Sequence, residues 1–154
     1  MKVKDVMNPN VVFCKPDNTV REVAKILKEN NISGVPVIDD EELVGVVSEG
    51  DLLKLLIIPE KGELLLPSPF EVIEVPIREY LGWEETKKIL SDVGSIKVEE
   101  IMTKDVYTIS SEASVEEASE HMVRHRINRL PVIEDERVIG IVTRGDIIDG
   151  LAKL

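Results

Sequence analysis

The chain has 154 residues, 43% hydrophobic and 32% charged, and a formal net charge of −11 from 30 acidic and 19 basic residues. That length suits one compact domain or two small ones packed together, and the acidic field excludes nucleic acid and anionic membrane as partners unless the cations gather on one face. The single cysteine, Cys14, excludes an intramolecular disulfide and a four-thiolate zinc site.

The opening MKVKDVMNPN lacks the apolar run of an export signal. VVF at 11–13 is a β-type run, and Cys14 beside it is expected to be a half-buried strand thiol. Thr19-Val20-Arg21-Glu22 has the hydroxyl-to-Glu spacing of a capping box. The helix it predicts carries Val20, Val23, Ala24 and Leu27 on one face. Two strands, VPVID and LVGVV, follow around the acidic run Asp39–Glu42, and a last apolar helix passes through Leu52–Ile58. That stretch carries Lys54 and stops at Pro59, too short for a bilayer; a cytoplasmic location without membrane contact is the expectation.

From 59 to 96 the pattern changes. Pro59, Pro67, Pro69 and Pro76 predict irregular chain, and Trp83–Val93 predicts a helix ending at Gly94. Phe70, Tyr80 and Trp83 are expected to pack against something. Then the first order of elements returns: VYTI at 106–109, a capping box at Ser114–Glu117, and a helix with Val115, Ala118 and Met122 on one face. LPVIE and VIGIV flank the acidic run Glu134–Glu136, and an apolar helix through Ile147–Leu151 closes the chain.

The return is an internal duplication. An offset of 95 takes Met7 to Met102, Val20 to Val115, Pro36 to Pro131, Gly45 to Gly140 and Asp51 to Asp146, with no gap between 3–53 and 98–148. The division is a first repeat at 1–58, a connector at 59–96 and a second repeat at 97–154. Each repeat is β-α-β-β-α, too small to be stable alone. The expected fold is α+β, with two units packed sheet to sheet about a pseudo-twofold axis.

The repeats end in matching heptapeptides, GVVSEGD at 45–51 and GIVTRGD at 140–146. Ser48-x-x-Asp51 and Thr143-x-x-Asp146 read as further capping boxes. Capping leaves Gly50 and Gly145 unexplained, since glycine in a first helical turn costs about 0.5–1 kcal/mol against alanine. A bare glycine, a hydroxyl and free amides at a helix start suit a phosphate, and a nearby carboxylate suits a ribose diol.

These motifs resemble the cystathionine-β-synthase-type (CBS) domain, here as the tandem pair called a Bateman module. The resemblance rests on VMNPNVVF and IMTKDVYTI, ISGVPVID and INRLPVIE, and the two Gly-x-x-[Ser/Thr]-x-Gly-Asp ends. It covers 1–58 and 97–154 and implies a regulatory module with adenosyl ligands in clefts between the repeats. AMP, ADP or ATP, or else S-adenosylmethionine, would be the ligand; no cofactor is required. By the same resemblance Asp51 and Asp146 grip the ribose, and Ser48 and Thr143 stand near sugar and phosphate. Met7 with Val12, and Met102 with Tyr107, correspond to walls of the adenine site. Gly34 and Arg129, preceding Val35-Pro36 and Leu130-Pro131, correspond to the phosphate side. HRINRLPVIE is also similar to the phosphate-binding repeats of the γ subunit of AMP-activated protein kinase, with Asn128 where those often have His.

The halves differ in charge. Arg124, Arg126, Arg129 and Arg144 stand where the first repeat has Glu29, Asn31, Gly34 and Glu49. Family clefts join the Asp of one repeat to the strand of the other, which implies Ser48 and Asp51 facing Tyr107 and Arg129. Thr143 and Asp146 would face Val12, Ser33 and Gly34, with Arg144 as the phosphate partner. His121 and His125 have a metal-compatible spacing, but no third ligand accompanies them, and a metal site is not expected. No hydrolase triad, Walker loop or dinucleotide fingerprint is present, so an enzyme is not expected. Three readings stay open: an adenine-nucleotide sensor acting on an unidentified protein, an S-adenosylmethionine-type sensor, and a structural dimerisation module. The resemblance also implies a homodimer, with the apolar last helices, Leu52–Ile58 and Ile147–Leu154, as candidates for its buried surface.

Overall fold

The structure, a computed structural model, describes residues 1–57, 63–67, 72–76 and 83–154. The first repeat contains α1 (Val3–Val6), α2 (Val20–Asn30), β1 (Gly34–Asp39), β2 (Glu42–Ser48) and α3 (Glu49–Leu55). The connector holds β3 (Glu63–Pro67), β4 (Val72–Pro76) and α4 (Trp83–Gly94). A 3₁₀ turn at Val98–Glu100 opens the second repeat, followed by β5 (Ile109–Ser110), α5 (Val115–His125), β6 (Arg129–Glu134), β7 (Arg137–Thr143) and α6 (Arg144–Ala152). The class is α+β.

Both capping boxes of the first helices form. Glu22 N donates to Thr19 Oγ1 at 3.2 Å while Thr19 N donates to Glu22 Oε2 at 3.1 Å. The Ser114–Glu117 pair matches it at 3.1 and 2.8 Å. Each helix stops where the next residue turns left-handed: Asn31 (φ 51°) after α2 and Arg126 (φ 54°) after α5. Helix α5 buries Val115, Ala118 and Met122, but α2 buries only Val20, Val23 and Leu27; Ala24 is exposed, contrary to the apolar-face reading.

The hairpins β1–β2 and β6–β7 are antiparallel and share one register, Gly34 opposite Ser48 and Arg129 opposite Thr143, each with a bulge after its fourth pair, Val37–Gly45 and Val132–Gly140. Their acidic turns are two-residue loops with positive φ at Asp40 and Glu41, and at Asp135 and Glu136. That is the backbone which matches the right-handed strand twist.

Several sequence expectations need correction. VVF at 11–13 is not a strand; only Cys14 bridges to Val37, in parallel. Of VYTI only Ile109 enters β5, which pairs in parallel with β6. Neither run has a second neighbour to continue its ladder. Cys14 is buried rather than half-buried. The last helix of the first repeat covers Glu49–Leu55 rather than reaching Ile58, which lies outside the described residues. The connector is more regular than its prolines suggest: β3 and β4 pair antiparallel, with Pro67 and Pro76 as terminal residues, where a missing amide is tolerated. Helix α4 runs Trp83–Gly94 as expected and packs on α2; Phe70 and Tyr80 lie outside the described residues.

The two cores exchange their opening segments. Val3 is buried with Ile109, Val115, Leu130 and Val142 of the second repeat. Val98 is buried with Val23, Val35, Val37 and Val47 of the first. The exchange is hydrogen-bonded in matching places: Asn8 N donates to Ile141 O at 2.8 Å and Thr103 N to Val46 O at 2.9 Å, each returned. Neither repeat therefore completes its core from its own contiguous chain.

Candidate functional site

Two clefts open between the repeats. One, of about 690 Å³, holds Ser48, Gly50 and Asp51 opposite Tyr107, Arg126 and Arg129. The other, of about 1070 Å³, holds Thr143, Gly145 and Asp146 opposite Val12, Gly34 and Lys28. They are called here the Asp51 and Asp146 clefts.

The hairpins lead straight into the final helices, so each cap forms at a cleft wall. Thr143 N donates to Asp146 Oδ2 at 2.8 Å, Thr143 Oγ1 to the same oxygen at 2.8 Å, and Asp146 N returns to Thr143 Oγ1 at 3.2 Å. In the first repeat, Ser48 N and Oγ donate to Asp51 Oδ2 at 2.9 and 3.1 Å. In both caps the bonds fall on Oδ2, and Oδ1 is the oxygen the cap does not use.

The glycines of the heptapeptides have two different causes. A Cβ on Gly45 would lie 2.6 Å from Met102 Sδ, and one on Gly140 would lie 2.7 Å from Met7 Sδ. These glycines make room for the exchanged opening segments. A Cβ on Gly50 or Gly145 would meet nothing nearer than its own cap hydroxyl, at 3.6 and 3.5 Å. Neither has a positive φ. Protein packing and backbone shape leave Gly50 and Gly145 unexplained, and both face a cleft.

Arg129 reaches from the start of β6 across to the first repeat. Its Nη2 donates to Ser33 Oγ and its Nε to Asn128 Oδ1 at 3.0 Å. The guanidinium fills the space of a Gly34 side chain, its Nη1 standing where a Cβ would be. Burial disfavours its charge, and the fields of Glu49 and Asp51 partly oppose that. Among the described residues no carboxylate forms an ion pair with it. Arg129 lines both clefts, with Ser33, Asn128 and Arg144.

Tyr107 is 44% exposed in the Asp51 cleft, its ring stacked on His125 with centroids 3.8 Å apart. His121 lies one turn away, 5.7 Å between rings. Among the described residues no group of three or more His, Cys, Asp or Glu is arranged to hold a metal.

The remaining sequence candidates Val35, Pro36, Leu130 and Pro131 are all buried, and of these Pro131 alone lines a cleft, the Asp51 one. Met7 and Met102 lie against the two cores and the glycines of the opposite repeat, in neither cleft wall. Lys28 is a cleft residue that the sequence reading leaves out, and Arg126, singled out there for its charge, lines the Asp51 cleft. The signal for Lys28 was helical: Ala24, Leu27, Lys28 and Asn31 share the face that lines the Asp146 cleft. Asn10 and Asp105, another pair related by the repeat offset, line the Asp146 and Asp51 clefts respectively.

This architecture is a known one. The CBS domain pattern matches residues 3–58 and 98–153. The chain is 38% identical over 154 residues to the uncharacterized protein MJ1426 of Methanocaldococcus jannaschii, covering 98% of this chain and 91% of that one. The crystal structure of CBSX2 in complex with AMP, a protein of Arabidopsis thaliana, superposes with a TM-score of 0.71 at 28% identity, covering 99% and 96% of the two chains. The CBS domain pair of protein MJ0100 in complex with 5′-methylthioadenosine and S-adenosyl-L-methionine gives 0.69 at 25% identity, covering 99% and 97%. The chain belongs to the CBS domain family, as a tandem pair, a Bateman module.

Proposed function

We propose that the chain is a regulatory module that binds an adenine nucleotide (AMP, ADP or ATP) in the clefts between its repeats and signals occupancy to a partner protein. One observation carries this reading: Arg129 is a partly buried guanidinium without a carboxylate ion pair among the described residues, and it faces both clefts. A desolvated arginine in that position lacks the anion that would complete it. A phosphate would supply two or more charge-assisted hydrogen bonds there. Across each cleft, Asp51 or Asp146 keeps one carboxylate oxygen outside its cap, suited to a ribose hydroxyl. Gly50 and Gly145 leave the helix backbone bare on the cleft side. The AMP complex of CBSX2 supports the same ligand class.

S-adenosylmethionine is the second reading. It is supported by the MJ0100 complex and by Glu49, which lines both clefts and would complement a sulfonium. In either case the module binds and transmits; it does not catalyse.

A thermal-shift panel of AMP, ADP, ATP, NAD and S-adenosylmethionine tests this. Ligand at 100 times its Kd stabilises by about 2.7 kcal/mol, so the melting temperature should rise clearly with AMP or ATP. A rise with S-adenosylmethionine alone would select the second reading. No rise with any of them would leave a structural dimerisation role.

A further inference from the structure

The two clefts share a wall, and the wall is built from repeat-related pairs. Ser33 and Asn128, Gly34 and Arg129, and Glu49 and Arg144 are each 95 positions apart. Glu49 N donates to Ser33 O at 2.8 Å and Arg144 N to Asn128 O at 3.1 Å, so each final helix is tied to the residue that opens its own hairpin. Arg129 crosses between the halves by bonding Ser33 Oγ. Apart from Gly34, which lies beneath Arg129 and lines the Asp146 cleft, every member of these pairs lines both clefts.

A symmetric wall would carry an arginine for each cleft. This one cannot at Gly34, because the Arg129 guanidinium already occupies that side chain's space. At the other pair one copy is Arg144 and its counterpart is the acid Glu49. Two guanidiniums and one carboxylate thus serve two sites. Each cleft adds one cation of its own, Lys28 on the Asp146 side and Arg126 on the Asp51 side.

We propose that the shared wall couples the clefts negatively, so that a phosphate-bearing ligand in one weakens the binding of a second in the other. The inference rests on the nucleotide reading above. A first phosphate draws Arg129 toward itself and consumes the wall's surplus positive charge. A second phosphate then meets a depleted wall and a like charge across it, in a partly desolvated space where such repulsion is poorly screened. The module would answer low nucleotide concentrations with one occupied cleft and fill the other only at much higher ones.

The test separates coupling from the intrinsic difference between the clefts. AMP is titrated calorimetrically into the wild type and into Gly50→Leu, which obstructs the Asp51 cleft at a position where a Cβ meets nothing nearer than Ser48 Oγ, at 3.6 Å. Gly145→Leu obstructs the Asp146 cleft in the same way, its Cβ meeting nothing nearer than Thr143 Oγ1. The product of the two single-cleft association constants should exceed the product of the wild type's two stepwise constants by at least about tenfold, the loss expected from one forfeited charge-assisted hydrogen bond. With adenosine the two values should agree. Equal values for AMP, or the same gap with adenosine, would overturn the coupling and leave the nucleotide reading intact. Absence of AMP binding to the wild type would overturn both.

Discussion

Gly45 and Gly50 stand five positions apart in one heptapeptide and answer to different physics. Gly45→Ala pushes a methyl group into Met102 and should destabilise by about 1–3 kcal/mol, the range for overpacking. Gly50→Ala meets open space in a first helical turn and should stabilise the free protein by up to about 1 kcal/mol. It should nonetheless weaken nucleotide binding, because the methyl group enters the cleft. Melting curves with and without AMP check both statements; a loss of free-protein stability in Gly50→Ala would remove the argument from the bare backbone. Arg129→Ala should weaken AMP by about 1.5–3 kcal/mol, as expected for a charge-assisted hydrogen bond, and leave adenosine nearly unchanged. Equal losses for the two ligands would make Arg129 a structural residue only.

Among the elements, the helices and hairpins were legible because their signals are local. The hydroxyl-to-Glu spacing at Thr19 and Ser114 marks the two helix starts, and VPVID and LPVIE alternate cleanly up to their acidic turns. What was not legible depends on partners distant in the chain. VVF and VYTI have strand composition, yet their extended backbone finds almost no ladder. The prolines of the connector hid a pair of strands that they merely terminate. Lys28 escaped because its repeat counterpart is Val123, so comparison of the halves showed no matching cation. The hairpin turns offer a prediction at this scale. Glu136 holds φ of 64°, where a non-glycine residue pays about 1–2 kcal/mol. Glu136→Gly should therefore stabilise by up to about 1 kcal/mol after the added freedom of the unfolded chain is counted. A drop in the denaturant midpoint would contradict the turn assignment.

At the scale of the whole molecule, the exchanged opening segments make the two repeats one cooperative unit. Glu112 anchors the first of them, accepting from Lys2 and Lys4 at 2.5 Å each, and these bonds hold its carboxyl down to about 2 from an ordinary 4.5. A depressed carboxyl contributes stability that is present above the ordinary value and is lost as the pH falls toward the folded one. Because all three side chains are exposed, the contribution is small. The wild type should lose a little stability between pH 4.5 and 2 while Val3 and the backbone hydrogen bonds keep residues 1–7 docked, and Glu112→Gln should flatten that part of the melting profile. Parallel profiles for the two proteins would show that the anchor is idle. The final helices leave Leu53 and Leu56, and Ile148 and Leu151, exposed, a face suited to pairing two copies; light scattering should give a dimer at micromolar concentration, and a strict monomer would refute it. The heptapeptide aspartates are proposed to hold a ligand as well as cap a helix. Calorimetric titration of Asp51→Asn and Asp146→Asn with AMP, beside melting curves of the free proteins, tests this most directly. Both variants should lose affinity clearly, with free-protein stability lowered by no more than about 1 kcal/mol, the scale of a lost cap charge. Unchanged AMP affinity in both variants would contradict that role and return the two heptapeptides to helix caps alone.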